Sequence, residues 1–267
     1  MNNSDQSGPN SGAPLVVLDV GNTNTVCGVW LGDELVEDLR LSSSPERTAD
    51  EYGALLLPLF RRAGVDPAAA CGVVISSVVP PLHQTFELLS RKYFHRDPLF
   101  VEPGVKTGLP IRYDNPVEVG ADRIVNAVAA RQLYGSPVVV VDFGTATTFD
   151  VVNAAGEYVG GIIAPGISIS AEALFSQASR LYRVDLKKPQ ELIGRNTAGA
   201  MQSGIYYGYL SLVDGILERL SAQLGELQTI VATGGGADLV AEASRFIQQV
   251  NPRLTLLGLK LIHERNR

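Results

Sequence analysis

Two stretches of the sequence place an aspartate, a glycine and small polar residues between apolar runs. They are VVLDVGNTNTVCGVW (16–30) and PVVVVDFGTATTFDVVN (137–153). A glycine two residues after a strand-terminal aspartate lets the backbone turn tightly and lets a ligand approach where a Cβ would lie. Asn and Thr side chains and backbone N–H groups can donate to phosphate oxygens, and the aspartate can hold a cation beside them. Each stretch therefore has the components of a phosphate-binding turn.

The repetition of this pattern distinguishes it from an ordinary β-turn. A single Asp-x-Gly turn is not specific, because Asp and Asn side chains cap many turns that bind nothing. Here Asp19 and Asp142 mark two copies in comparable halves, and a third glycine-rich turn, TGGGAD (233–238), follows a later apolar run. Together the three turns predict a nucleotide held between two similar lobes. The sequence contains no P-loop pattern and no H-E-x-x-H pattern.

The elements that must position these turns have an α/β pattern. We predict a three-stranded meander over LVVLDV, TVCGVWL and LVEDLRL, followed by a helix that ends at Gly64. A buried strand, a second helix and a Pro- and Gly-rich loop (102–119) lead to a helix over GADRIVNAVAARQLYG. After the second turn we predict a helix from about Gly166, a long helix from residue 196, a strand over QTIVATGGG, a helix through about Ile247 and a short C-terminal segment.

Composition limits the class of protein. The chain has 267 residues, 45% of them hydrophobic and 19% charged, which predicts a soluble globular protein of one large or two moderate domains. The first 13 residues are expected to be a disordered leader, and no signal peptide or membrane-spanning run is present, so a cytoplasmic protein is predicted. The formal net charge of −6 without a basic segment disfavours binding to nucleic acid.

Several other residue types are predicted to have structural roles only. Cys27 and Cys71 lie in apolar runs and are expected to be buried, reduced thiols. Three tyrosines of the long helix are expected to pack in the core or at a dimer contact. The three histidines have no partners at ligand spacing and are predicted at the surface. These tyrosines and histidines are Tyr206, Tyr207, Tyr209, His83, His95 and His263.

The duplicated strand-Asp-x-Gly turn with a terminal glycine turn resembles the superfamily of acetate and sugar kinases, heat-shock chaperone ATPases and actin. The full set of DVGNTNT, GADRIVNA, DFGTATTFD, GGIIAPG, RNT and TGGGA is similar to type III pantothenate kinase, from about Leu15 to about Ile262. This resemblance implies two similar ribonuclease-H-like (actin-like ATPase) lobes with a nucleotide cleft between them. It places the lobes at 14–118 and 119–267.

The resemblance also implies an activity. The family phosphorylates pantothenate at its primary hydroxyl with ATP and Mg²⁺, the first step towards coenzyme A, as a homodimer that uses a monovalent cation, K⁺ or NH4⁺. By motif position, Asp122 matches the proton acceptor and Asp142 the cation site. The nucleotide contacts fall on Asp19, Val20, Gly21, Asn22, Thr23, Asn24, Thr25, Val26 and Thr145. The pantothenate contacts fall on Tyr113, Gly120, Ala121, Asp122, Arg123 and Thr197.

Physical chemistry supports part of this assignment and leaves alternatives open. At the start of a helix, Asp122 is favoured as an anion and can orient an alcohol, while Arg123 can form a bidentate pair with a carboxylate. The same residues could form a helix cap with an exposed ion pair. Thr197 could equally cap the long helix. For Asp142 the residues alone would favour Mg²⁺, and the monovalent cation is implied only by the resemblance.

Two other functions remain open from the sequence. A non-catalytic transcriptional accessory role has been associated with the family, and it would be favoured by a basic patch or a helix-turn-helix, neither of which is visible. A different small-molecule kinase of the superfamily would keep the phosphate turns and lack the GADR and RNT pair. Fold alone does not separate these functions.

Overall fold

The computed structural model describes residues 12–177, 181–225 and 229–267, and within them the strands form two five-stranded sheets. The first sheet has the order β3-β2-β1-β4-β5, and the second has the order β10-β9-β6-β7-β8. The strands of the first sheet are β1 (Leu15–Val20), β2 (Asn24–Leu31), β3 (Glu34–Ser42), β4 (Gly72–Ser77) and β5 (Leu99–Phe100). Those of the second are β6 (Val138–Phe143), β7 (Ala146–Val152), β8 (Tyr158–Pro165), β9 (Thr229–Thr233) and β10 (Gln249–Val250).

Helices follow the strands in both halves. In the part of the chain that the structure describes, the α-helices are α1 (Ala49–Ala63), α2 (His83–Leu89), α3 (Ala121–Tyr134), α4 (Ile167–Gln177), α5 (Thr197–Leu224), α6 (Ala237–Ala241) and α7 (Leu254–Arg265). The predicted end of α1 at Gly64 is confirmed, since Gly64 has φ +68 and its N–H closes the last turn. The helix begins at a capping box, in which Thr48 and Glu51 satisfy each other's backbone N–H groups.

The two sheets repeat one topology, as the duplicated motif predicts. In each, the strand that carries the aspartate pairs antiparallel with the next strand and parallel with a strand that arrives by a crossover. Asp19 lies opposite Val26 of β2 and Ser76 of β4. Asp142 lies opposite Thr148 of β7 and Thr233 of β9. The predicted α/β fold of two similar lobes is confirmed.

The central strands are apolar throughout because both of their faces are covered. In β1 the alternate residues Val16, Leu18 and Val20 enter a core with α1 and α2. In β6 the residues Val139, Val141 and Phe143 enter a separate core with α5 and α6. Continuous apolar runs are typical of strands buried on both sides. Only the residues near the strand ends, where the aspartates lie, reach solvent.

The C-terminal third differs from the sequence prediction. The helix predicted to extend through about Ile247 ends at Ala241, and β10 then pairs in parallel with β9. Ser244 stops the helix, because its Oγ accepts from the N–H groups of Phe246 and Ile247 and donates to Asp214. The short C-terminal segment is the regular helix α7.

Two predictions about single side chains are also wrong. Cys27 is buried as expected, and its thiol has a pKa raised to about 12 by burial. Cys71 is exposed, because it precedes β4 rather than lying inside it. His263 is half-buried rather than at the surface, since its ring packs against the backbone of Gly72 where a Cβ would otherwise lie.

Contacts divide the chain into two units. The first contains the described residues up to Thr107 together with Gly120–Val125 and Thr255–Arg267, and the second contains Gly108–Val119 and Asn126–Leu254. The predicted boundary between residues 118 and 119 stays a prediction. Helix α7 follows that boundary in the sequence but belongs to the first unit, because it packs on the first sheet. Leu256 and Val17 both border Gly28. None of the described helices combines the length and the apolar character that crossing a membrane requires.

Candidate active site

The first Asp-x-Gly turn is a three-residue connection between β1 and β2. Gly21 donates its N–H to the carbonyl of Asn24 at 3.0 Å, which closes the turn. Asn22 and Thr23 are exposed at its tip. A Cβ at position 21 would lie 3.1 Å from the Asn24 carbonyl, so glycine is the residue that fits best. The polar residues at the tip of the turn are exposed to solvent, and the hydrogen bond between Gly21 and Asn24 closes the turn behind them.

Ser43 braces this turn from the end of β3. Its N–H donates to the carbonyl of Thr23 at 3.0 Å, and its Oγ donates to the carbonyl of Gly21 at 2.6 Å. The hydroxyl of the buried Thr25 lies 2.9 Å from the same Oγ. Sequence reasoning missed Ser43, although β3 pairs with β2 in a register that brings its last residues to the turn.

The GADR motif begins α3 in the same unit. Asp122 belongs to the first turn of α3, and its Oδ1 accepts from the N–H of Arg123 at 2.8 Å. A Cβ at Gly120 would lie 2.5 Å from this oxygen, so a larger residue would displace the carboxylate. Arg123 is buried. The dipole of the helix favours the ionised form of Asp122.

Val78 connects the GADR motif to the first turn. Its N–H donates to the carbonyl of Val20 at 3.1 Å, at the end of β1. Its side chain would lie 3.6 Å from a Cβ at Gly120. The structure therefore brings residues 19–26 and 120–123 to the same edge of the first sheet.

The second turn is tightly packed around Asp142. Its Oδ2 accepts from Nδ2 of Asn126 at 2.9 Å. Gly234, with φ +86, closely approaches its Oδ1, and a Cβ there would also lie 2.7 Å from the backbone carbon of Phe143. The N–H of Gly236 donates to the Phe143 carbonyl at 3.2 Å. The TGGGAD turn thus packs directly on the second aspartate turn.

The GGIIAPG motif packs on the other side of the second turn. A Cβ at Gly166 would lie 2.7 Å from the carbonyl of Gly144 and would strike the carbonyl of Thr145. Gly144 and Thr145 are themselves exposed. A larger residue at position 166 would collide with this turn. Glycine therefore allows the start of α4 to pack directly against it.

Tyr209 lies beneath the second turn. Its hydroxyl forms a hydrogen bond with Oγ1 of Thr147, and its ring lies 6.3 Å from that of Phe143. Burial raises the pKa of Tyr209, and the Asp142 carboxylate raises it further. Tyr209 thus packs in the core, as expected. Its hydroxyl is also close enough to Asp142 for the carboxylate charge to contribute to its raised pKa.

The two remaining predicted contacts lie elsewhere in the second unit. Tyr113 belongs to a loop held beside β8, with its ring 6.4 Å from that of Tyr158. Thr197 is the first residue of α5, whose N-cap is Asn196, so the alternative in which Thr197 caps this helix is wrong. Thr197 lines a groove of about 770 Å³ between α4 and α5. The groove is also lined by Ser170, Leu174, Arg195, Met201 and Gly204.

Each of the two aspartate turns carries one aspartate near the end of its strand, Asp19 or Asp142. Among residues 12–177, 181–225 and 229–267, no three His, Cys, Asp or Glu side chains gather as ligands for one ion. Mg²⁺ in nucleotide enzymes is bound by one or two carboxylates together with substrate phosphates. Asp19, near the end of β1 and beside a glycine turn, fits that donor set.

Asn126 is the second functional candidate that the sequence analysis did not assign. It lies four residues after Asp122 on α3, and this spacing places the two residues on one face of the helix. The amide bond to Asp142 orients that carboxylate. The i, i+4 spacing within GADRIVNA was the signal that could have identified it.

Comparison with solved structures supports the fold. A putative Baf family transcriptional activator from Campylobacter jejuni superposes with a TM-score of 0.60 at 20% identity, covering 94% of this chain and 98% of that one. MreB 5 of Spiroplasma citri, bound to AMPPNP, superposes with a TM-score of 0.52 at 12% identity, covering 96% and 97%. At these identities the likeness concerns the two-lobed α/β fold alone.

Comparison of sequences goes further. A type III pantothenate kinase from Myxococcus xanthus (strain DK1622) is 56% identical over 252 residues, which are 94% of this chain and 98% of that protein. One from Koribacter versatilis (strain Ellin345) is 55% identical over 262 residues, covering 94% and 96%. The family profile described as type III pantothenate kinase matches residues 15–219. The chain belongs to the type III pantothenate kinase family.

Proposed function

We propose that this chain transfers the γ-phosphoryl group of ATP to the primary hydroxyl of pantothenate, the first step of coenzyme A biosynthesis. The observation that carries the proposal is the identity of 55–56% to type III pantothenate kinases over nearly the whole chain. The glycine positions of the quoted motifs add support, because Gly120, Gly166 and Gly234 each lie where a side chain would displace a site residue or its backbone.

The transfer is an in-line displacement at phosphorus. The hydroxyl oxygen of pantothenate forms a bond to the γ-phosphorus, the bond from that phosphorus to the β,γ-bridging oxygen breaks, and ADP leaves. The hydroxyl proton passes to the Asp122 carboxylate. Because the transition state of phosphoryl transfer is loose, the proton moves late, and Asp122 contributes mainly by orienting the alcohol.

The nucleotide contacts are proposed for residues 19–26 and Thr145. The exposed Asn22 and Thr23 and the backbone N–H groups near them can donate to phosphate oxygens. Mg²⁺, when bound to the phosphates, would neutralise the charge that develops on them. Asp19 is the carboxylate of this turn suited to hold Mg²⁺, directly or through water.

The pantothenate contacts are proposed for Tyr113, residues 120–123 and Thr197. Arg123 is suited to the carboxylate of pantothenate, because a guanidinium binds a carboxylate through two parallel hydrogen bonds. Its burial strengthens the interaction, since the charge is less screened by water. Tyr113 and Thr197 supply hydroxyl groups for the polar centre of the substrate.

A monovalent cation, K⁺ or NH4⁺, is proposed at Asp142. This single carboxylate is bonded to one amide of Asn126 and is bordered by the backbone of Gly234. The single negative charge of this carboxylate balances the charge of an ion of charge +1. In this role Asp142 would help to hold the nucleotide rather than take the proton.

A homodimer in the cytoplasm is proposed as the working form. The second unit exposes large apolar side chains around the groove of α4 and α5, with Ile193 79% and Leu192 65% exposed. Apolar patches of this kind mark protein contacts. The net charge of −6 gives no attraction to nucleic acid.

A coupled assay for ADP release tests the activity. Purified protein is supplied with ATP, Mg²⁺ and pantothenate, first in sodium buffer and then in potassium buffer. We expect ADP release that depends on pantothenate and increases in potassium. Absence of pantothenate-dependent release in both buffers would overturn the proposed function, whereas equal rates in both would overturn only the role of Asp142.

A further inference from the structure

The backbone on the N-terminal side of Tyr113 is held by one residue of β8. The N–H of Tyr158 donates to the carbonyl of Pro110 at 2.8 Å, and the N–H of Arg112 donates to the carbonyl of Tyr158 at 2.7 Å. Ile111 accordingly forms a parallel bridge with Tyr158. The segment that ends at Tyr113 is therefore held by an isolated bridge to β8, the edge strand of the second sheet.

The side chain of Tyr158 is held in turn by the buried carboxylate of Asp150. Its hydroxyl donates to Oδ1 of Asp150 at 2.8 Å, and Oγ1 of Thr148 donates to Oδ2 at 2.9 Å. Tyr158 and Asp150 both have no exposed surface. A buried carboxylate that loses a hydrogen-bond donor lowers the stability of the folded state. The hydrogen bond to Asp150 therefore holds the Tyr158 ring in one orientation.

Gly160 leaves the space in which the Tyr113 ring lies. A Cβ at this position would lie 3.2 Å from Cε2 and 3.3 Å from Cδ2 of Tyr113. Gly160 has φ +108, a conformation that other residues rarely adopt. The rings of Tyr113 and Tyr158 pack at 6.4 Å with an interplanar angle of 42°. The aromatic ring is thus bounded by a glycine and by a second, anchored ring.

We propose that Gly160, Tyr158 and Asp150 are positioning residues for Tyr113 and thereby set the affinity for pantothenate. The inference rests on the proposed function, in which the Tyr113 hydroxyl contacts that substrate. None of the three touches the reacting atoms. They fix the ring before the substrate arrives, so that little conformational entropy is lost when the hydroxyl forms its hydrogen bond.

Steady-state kinetics of Gly160→Ala test this role. We expect the KM for pantothenate to rise roughly 3- to 10-fold, the range for one weakened hydrogen bond, with kcat and the KM for ATP nearly unchanged. Tyr158→Phe should change the same parameter in the same direction, and it tests the proposal even where Gly160→Ala does not fold. Val159→Ala is the matched control, because Val159 is the exposed neighbour of Gly160 in β8.

A double-mutant cycle separates positioning from a purely structural effect of Gly160. In a Tyr113→Ala background there is no ring to displace, so Gly160→Ala should change the KM for pantothenate less than about 2-fold further. An equal rise in both backgrounds, or an unshifted KM in the single variants, would overturn the inference while the proposed function stands. A wild-type protein inactive with pantothenate would overturn both.

Discussion

Two neighbours in the GADR motif help to place the Asp122 carboxylate. Gly120 provides the space that its carboxylate occupies, and the N–H of Arg123 donates to it. Asp142, by contrast, is bonded to an amide and closely covered by Gly234. The proposed roles differ accordingly: Asp122 is proposed to orient the alcohol, and Asp142 is proposed to hold an ion.

Replacing Asp122 with asparagine should lower kcat by about 10² to 10⁴, the usual contribution of a general base. The amide keeps the shape of the carboxylate and cannot accept the proton. The Kd for ATP should stay close to that of the wild type, measured by equilibrium titration alongside turnover. Asp97→Asn, which removes only a surface ion pair with Arg91, is the control and should leave both values unchanged. Near-normal turnover of Asp122→Asn would refute the assignment of the base.

Helix α5 shows how a capping residue presents a neighbouring side chain. Oδ1 of Asn196 accepts from the N–H of Gly199 at 2.8 Å and starts the helix. Thr197 follows as the first helical residue and lines the groove. Gly194 packs against the backbone of Ala200, which fixes the approach to the cap. The RNT motif therefore depends on Asn196 for its geometry.

Asn196→Ala should destabilise the protein by about 1 kcal/mol, because it leaves a helical N–H without its acceptor. For a chain of this size the loss corresponds to a fall in Tm of roughly 2–4 °C. Thermal unfolding followed by circular dichroism measures it. Asn196→Asp keeps the hydrogen-bond acceptor, so its Tm should lie close to that of the wild type. An equal fall in Tm for both variants would show that the cap is not the cause.

Helix α7 carries a pH-dependent contribution to stability through His263. Burial lowers its pKa from 6.5, with Arg267 adding to the shift and Glu264 opposing it. The unfolded chain therefore binds the proton first, so this stability is present above pH 6.5 and is lost as pH falls through the lower folded value. Between pH 7.5 and 5.5, Tm should fall more for the wild type than for His263→Gln. Parallel falls would contradict this.

The whole molecule repeats one sheet topology twice and uses the copies differently. The three-residue turn of the first sheet is exposed at its tip, and the two-residue turn of the second is exposed as well but packs against two further glycine motifs. The C-terminal helix α7 returns to the first unit, so the two ends of the described chain belong to one unit.

Association of two copies can be tested through the exposed apolar side chains of the second unit. The wild type should elute with twice the chain mass of 28.5 kDa in size-exclusion chromatography with light scattering. Ile193→Asp should shift it towards one chain mass, because a charge in a buried apolar contact is costly. Glu191→Asp, a conservative change nearby, should not. A wild type that elutes as a single chain would exclude the dimer.

Much of the fold followed from sequence because apolar periodicity and glycine turns are local signals. The β1 and β6 turns, the end of α1 and the start of α3 were all predicted in this way. Contacts between distant segments were not predicted, as with Ser43 on the first turn and Asn126 on Asp142. The early end of α6 was missed because Ser244 is bonded to Asp214, a partner 30 residues away.

The most direct test of the central claim is the phosphorus NMR spectrum of the reaction products. Protein, MgATP and pantothenate are incubated, and the proton-coupled ³¹P signal of the new phosphate ester is recorded. We expect ADP and one monoester whose phosphorus couples to the two protons of a CH2 group, as for transfer to the primary hydroxyl. Coupling to a single proton, or ADP without any phosphorylated pantothenate, would contradict the account.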